Sequence, residues 1–323
     1  FDFESACRIW LILNSLLLFV SFFIILKLTC EKLPDAERNF IAASSLFMVF
    51  SFQPLIENMY NGQNNILVLF FFVLSLYFLR EKKSILSGVM LALGIIIKPS
   101  FAIVLPLFLW KRCYRVFFAA SISLAVSELL PILLYGKDVV FSYWAIGARE
   151  TSLNNINAIS MANLSLGALI NRLGDVAARP HMAYALLCIT AALSLALFLY
   201  AVYVTRKGFE SFNAGFILEF SLLLFLLFIV CPVVHEHHYV LLYLPIIAVW
   251  ARLSRDMRPF RLFLFVISFL LIALKYSLIQ FGLFNSGFLS IFSGLKLYGV
   301  AILFFLTADM INEDSKKVSH QKD

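Results

Sequence analysis

The chain has 323 residues, 62% of them hydrophobic and 14% charged, with 35 Phe and a mean hydropathy of +0.92. Soluble domains carry roughly 45–50% apolar and about 25% charged residues, so a water-soluble domain, a disordered chain, a collagen and a disulfide scaffold are all excluded. The net charge of +7 fits the Lys and Arg surplus that membrane proteins keep in cytoplasmic loops, so no nucleic-acid partner is expected.

A helix needs about 20 apolar residues to cross a ~30 Å hydrocarbon core. In chain order, apolar runs predict spans at 9–29, 40–56, 65–80, 85–97, 99–110, 116–135, 183–204, 214–232, 239–251, 261–280 and 288–307. The short pieces 85–97 and 99–110 meet at Lys98-Pro99, which predicts a broken or shallow pair. A polar stretch, Glu57-Asn58-Met59-Tyr60-Asn61-Gly62-Gln63-Asn64, separates 40–56 from 65–80. Only helices satisfy every backbone group in lipid, apart from closed barrels, so the expected fold class is all-α. The expected architecture is a polytopic bundle of about ten transmembrane helices over residues 1–308, with a cytoplasmic tail over 309–323.

Basic residues fall on alternate connections: Lys27, Lys32 and Arg38; Arg80, Lys82 and Lys83; Lys111, Arg112 and Arg115; Arg206 and Lys207; Arg252, Arg255, Arg258 and Arg261; and Lys316, Lys317 and Lys322. That side should be cytoplasmic. The first span then enters from outside. Together with an opening Phe1-Asp2-Phe3-Glu4 in place of Met, this leads to the expectation that at least one upstream span is missing. The five cysteines are scattered without a CxxC and read as buried apolar thiols, so no metal site is expected.

Unusual polar residues collect on the opposite side: the 57–64 turn, Lys98, the long connection 136–182, and His235-Glu236-His237-His238. Connections above about 12–15 residues tend to be functional. The histidine run can be an interfacial cap on a helix pair, a phosphate- or sugar-binding element, or a zinc site. HExxH would need His at 239, where Tyr239 stands. Lys98 can snorkel to the interface or supply a compact positive charge to a phosphate at the break made by Pro99. Asn163-Leu164-Ser165-Leu166-Gly167 with Arg172 can be polar loop filler, and Asn163-Leu164-Ser165 is also a formal glycosylation sequon.

Taken in order, Pro54 with Gly62-Gln63-Asn64, Ile97-Lys98-Pro99, Asn163-Leu164-Ser165-Leu166-Gly167 with Arg172, and Pro232 with Glu236-His237-His238-Tyr239 resemble glycosyltransferase family 87. These are polytopic GT-C-type enzymes related to mycobacterial polyprenyl-phosphomannose-dependent mannosyltransferases. The chain departs from the family pattern at Ala162, Val234 and His235.

The resemblance implies a GT-C-like bundle and an inverting hexosyltransferase in a bacterial inner membrane, with its active face extracytoplasmic. The donor would be a polyprenyl-phosphate sugar, with mannose the expected hexose, and the acceptor a lipid or glycan. No cofactor is implied. Gln63, Asn64, Lys98, Asn163, Arg172, Glu236, His237 and His238 would bind donor phosphate or sugar. The acidic general base would lie in a loop ahead of Phe1, and this stretch would be inactive without it. The alternative is a non-enzymatic lipid or sugar transporter or flippase. It would place polar groups near mid-membrane between related halves, a pattern this chain does not display.

Overall fold

The computed structural model describes residues 2–31, 33–150, 160–175, 180–206, 214–273, 275, 284 and 286–320. All regular structure among them is helical. The α-helices are α1 (Phe3–Cys30), α2 (Asp35–Phe50), α3 (Gln53–Tyr60), α4 (Asn65–Arg80), α5 (Ser84–Ile97), α6 (Leu105–Trp110) and α7 (Tyr114–Tyr135). They continue with α8 (Lys137–Glu150), α9 (Leu166–Leu173), α10 (Ala183–Arg206), α11 (Ala214–Val230), α12 (Tyr243–Leu253), α13 (Pro259–Ala273) and α14 (Leu295–His320). Short 3-10 stretches cover Pro99–Val104, Pro180–Met182, Glu236–Leu242 and Phe288–Gly294.

Among the described residues, four helical stretches are long and apolar enough to cross a membrane: Phe3–Cys30, Tyr114–Tyr135, Ala183–Arg206 and Phe288–Lys317. The pair α2 and α3, bent by 53°, makes a fifth if it is one span. By length and composition the described residues do not confirm the expected bundle of about ten transmembrane helices. Several predicted spans are shorter apolar helices, and the physical cause is local. Pro99 has no N–H and disfavours the helical region for its predecessor, so Lys98 sits at φ −136°, ψ 90° and α5 stops there. The predicted 239–251 span is a 3-10 stretch that runs into α12, and the predicted 288–307 span likewise begins as 3-10 and becomes α14.

α11 is apolar on every face apart from a few small or paired groups, and residues 215–229 are all buried, which makes it the central helix. Little of the outer helices is covered by protein: only 22% of the most apolar window of α1 and 11% of those of α7 and α10 are buried. Small residues let neighbouring helices close in. A Cβ on Gly94 would meet the Phe72 ring at 2.5 Å, and one on Gly88 would meet the Val116 carbonyl oxygen at 2.5 Å. The Ser75 and Ser87 hydroxyls meet at 3.2 Å between α4 and α5.

The two ends of α1 are tied to different polar sets. Near its start, Trp10 Nε1 donates to the Gly62 carbonyl at 2.9 Å. Near its finish, Arg80 donates to the Lys27 carbonyl at 3.0 Å and Arg255 to that of Thr29 at 3.3 Å. The basic connections thus gather at one end of the bundle and the 57–65 turn at the other. At the basic end Arg252 grips Asp314 through two bonds of 3.0 and 2.6 Å, and Arg261 reaches Asp309 and Glu313 at 2.6 Å each. Residues 309–320, expected as a tail, continue α14, and these pairs hold its acidic residues against the 252–261 connection. Lys111 and Glu219 form a buried pair at 2.6 Å that joins the end of α6 to α11.

Candidate functional site

The link between α11 and α12 is the hub of the polar end. Pro232 follows α11 with no N–H to give, and the chain runs through His235, at φ −102°, ψ 161°, before the 3-10 stretch begins. His238 Nδ1 accepts from the His235 N–H at 3.2 Å, and this contact caps the stretch. His235 Nδ1 meets the Ala162 carbonyl at 3.1 Å. The three imidazoles form a packed cluster, with His237 and His238 ring centres 4.5 Å apart and perpendicular. No group of three or more His, Cys, Asp or Glu among the described residues has metal-binding geometry.

The 57–65 turn and the long connection both hydrogen-bond to this link. From the 57–65 turn, Asn65 Nδ2 donates to the His237 carbonyl at 3.1 Å and to Asn58 Oδ1 at 2.8 Å. Gln63 and Asn64 border Asn65, half-buried, and neither carboxamide has a hydrogen-bond partner among the described residues. From the long connection, Asn163 Nδ2 donates to the Pro232 carbonyl at 2.9 Å, and its Oδ1 accepts from the N–H of Val234 at 3.0 Å and of Ser165 at 3.1 Å. The Leu164 N–H donates to the Val234 carbonyl at 2.7 Å, so this loop lies along the hub as a short extended pair.

Lys98, at the break between α5 and the Pro99–Val104 stretch, is half-buried and within electrostatic reach of Cys231, His237 and His238. It forms no ion pair or hydrogen bond among the described residues. Burial lowers its ammonium to about 8. Burial, helped by the neighbouring positive groups, holds His237 down at about 4 and His238 lower still. Both rings are therefore neutral at physiological pH and present hydrogen-bonding nitrogens rather than charge. The positive charge of the cluster rests on Lys98.

Arg172 and Glu236, expected among the donor-binding residues, are both buried. The Arg172 guanidinium is buried, donating to the Ser160 and Asn163 carbonyls at 2.9 Å each and to Ser293 Oγ at 3.1 Å. It holds the 160–163 loop in shape. Glu236 is buried against Lys296, 3.0 Å away, and the same ammonium donates to the Ile272 carbonyl at 2.7 Å.

Two residues of the site escaped the sequence reading. Lys296 sits in an apolar run, and its signal was a lone charge inside a predicted span. Asn65 directly follows the polar turn and was counted as the first residue of a span.

Among the described residues the arrangement offers a compact cation outside any ion pair, two neutral imidazoles and unpartnered amides at one end of a bundle. It can neutralise one anionic group and hydrogen-bond the oxygens around it.

No curated protein and no solved structure matches the chain. A family model described as glycosyltransferase family 87 matches residues 1–232, so Gln63, Lys98 and Asn163 lie within the matched stretch and the histidine cluster just beyond it. On that match the chain, an all-helical membrane protein, belongs to glycosyltransferase family 87.

Proposed function

We propose that the protein transfers a hexose, mannose by expectation, from a polyprenyl-phosphate donor to a lipid or glycan acceptor at the non-basic, extracytoplasmic face of a bacterial inner membrane. The observation that carries this reading is Lys98, a half-buried ammonium without a carboxylate partner, set beside the neutral rings of His237 and His238. In the reaction the bond between the sugar C1 and the phosphate oxygen breaks, and the phosphate keeps the electron pair. The acceptor oxygen bonds to C1 from the opposite face, and its proton leaves to a base, so the anomeric configuration inverts.

Charge grows on the departing phosphate, so a preorganised cation there stabilises the transition state more than the bound donor. Gln63 and Asn64, with unpartnered carboxamides, are the donors and acceptors suited to sugar hydroxyls. Asn163 and Arg172 act through the backbone, shaping the loop that lies along the hub. A phosphate-linked lipid donor suits a site whose cation stands between apolar helices.

The test is a proteoliposome assay with polyprenyl-phosphate mannose radiolabelled in the sugar. The expected result is label in an acceptor with release of polyprenyl phosphate. Transfer from a nucleotide sugar but not from the polyprenyl donor would overturn the donor assignment. Donor that crosses the bilayer chemically unchanged, with no transfer, would favour the transporter.

A further inference from the structure

At the opposite, basic end of the bundle a cavity of about 750 Å³ opens between α5 and α7. Its walls include Leu86, Val89 and Ile122, and Lys82, Lys83 and Arg115 stand around it where the two helices begin. The two helices pack closely through small residues: a Cβ on Gly88 would lie 2.5 Å from the Val116 carbonyl oxygen and 2.6 Å from the Ala119 Cβ. The groove opens beside that contact. Both start at this end, and neither has a side chain capping its first N–H groups, so two positive helix ends face the same region as the three cations. Glu81 precedes the two lysines, yet none of Lys82, Lys83 and Arg115 forms an ion pair among the described residues.

We propose that this groove binds an acidic phospholipid from the surrounding leaflet, its phosphate held by Lys82, Lys83 and Arg115 and an acyl chain lying along Leu86, Val89 and Ile122. Charge complementarity selects the headgroup, because three cations without partners in a membrane surface attract an anion. The wall selects an amphiphile over a free anion, since apolar side chains continue the groove away from the cations by about 1.5 Å of helix per residue. The site lies at the end of the bundle opposite Lys98 and does not depend on the donor assigned to the histidine end.

Native mass spectrometry of the purified protein, titrated with dioleoyl phosphatidylglycerol or dioleoyl phosphatidylcholine, tests it. With each cation contributing about fivefold, phosphatidylglycerol should bind roughly a hundredfold more tightly than phosphatidylcholine. Lys82→Gln, Lys83→Gln and Arg115→Gln together should reduce that preference to a few-fold. Ile122→Trp should weaken phosphatidylglycerol binding with no change in charge. Arg38→Gln, at an exposed arginine outside the groove, should leave binding as it was. Retention of the preference in the triple variant, equal loss in Arg38→Gln, or displacement of the lipid by inorganic phosphate at matching concentration would each overturn the proposal.

Discussion

Asn163 and Pro232 meet through a 2.9 Å hydrogen bond from the Asn163 carboxamide to the Pro232 carbonyl, and the same side chain takes the Val234 N–H at 3.0 Å. One fully buried amide thus locks the long connection to the link that carries the histidines. Leaving a buried backbone group unsatisfied costs about 1–3 kcal/mol. Asn163→Ala takes the acceptor from the Val234 and Ser165 N–H groups, while the Pro232 carbonyl keeps Ser165 Oγ, so it should lower the stability of the purified protein by about 2–4 kcal/mol in a denaturant titration. Transfer should fall with it. Asn163→Asp keeps the acceptor and loses the donor, so it should be less stable than the parent while retaining more structure than Asn163→Ala.

Lys98→Ala should insert and purify normally but lose about 10²–10³ in turnover, the usual effect of removing one preorganised electrostatic partner. Lys98→Arg should recover part of it, because the charge returns on a longer, planar group. Transfer from radiolabelled donor, normalised to inserted protein, decides this. A snorkelling lysine would lower insertion and leave turnover per molecule intact.

The pH profile follows from the same group. The Lys98 ammonium, held at about 8, is charged below that pH and neutral above it. Activity should therefore fall as pH rises through about 8, and in Lys98→Arg this alkaline limb should vanish from the accessible range, since guanidinium stays protonated. Between pH 5 and 7 neither His237 nor His238 changes charge, so neither should contribute a step there. A step near 6.5 that disappears in His237→Gln or His238→Gln would contradict the neutral state of these rings.

The Arg172 guanidinium forks between two main-chain carbonyls and the Ser293 hydroxyl. A lysine cannot reproduce that planar spread. Arg172→Lys should lower thermal stability by several degrees, as a loss of about 2 kcal/mol would in a domain of this size. Its loss of activity should track the unfolded fraction and leave the KM for donor unchanged. A raised KM at full stability would instead make Arg172 a donor ligand.

Orientation is tested by cysteine accessibility in a background without native cysteines. The basic end, with Ser254, should be cytoplasmic, and Ser142 on α8 should face outside. An impermeant maleimide added to intact cells should label Ser142→Cys and spare Ser254→Cys. The reverse pattern would invert the topology.

Much of the bundle was legible along the chain because apolar runs and prolines act locally. The helix break at Lys98 is written in Pro99, which strips an N–H and restricts its predecessor wherever it stands. The gathering of Arg80, Arg252 and Arg255 at one end followed from the alternation of charged connections. The 3-10 starts of the predicted 239–251 and 288–307 spans were not legible, because hydropathy does not distinguish an α-helix from the 3-10 turn over Glu236–Leu242. The use made of each buried charge lay further from reach. Glu236 meets Lys296 across 60 residues of chain, and Arg172 meets Ser293 across 121. Such pairs depend on which helices become neighbours, and the requirement that a charge removed from water find a partner acts on whatever neighbour packing supplies. Lys98 and Arg172 look alike as isolated cations in the sequence. Packing gave Arg172 two carbonyls and a hydroxyl to hold, and left Lys98 beside two neutral rings with no ion pair among the described residues.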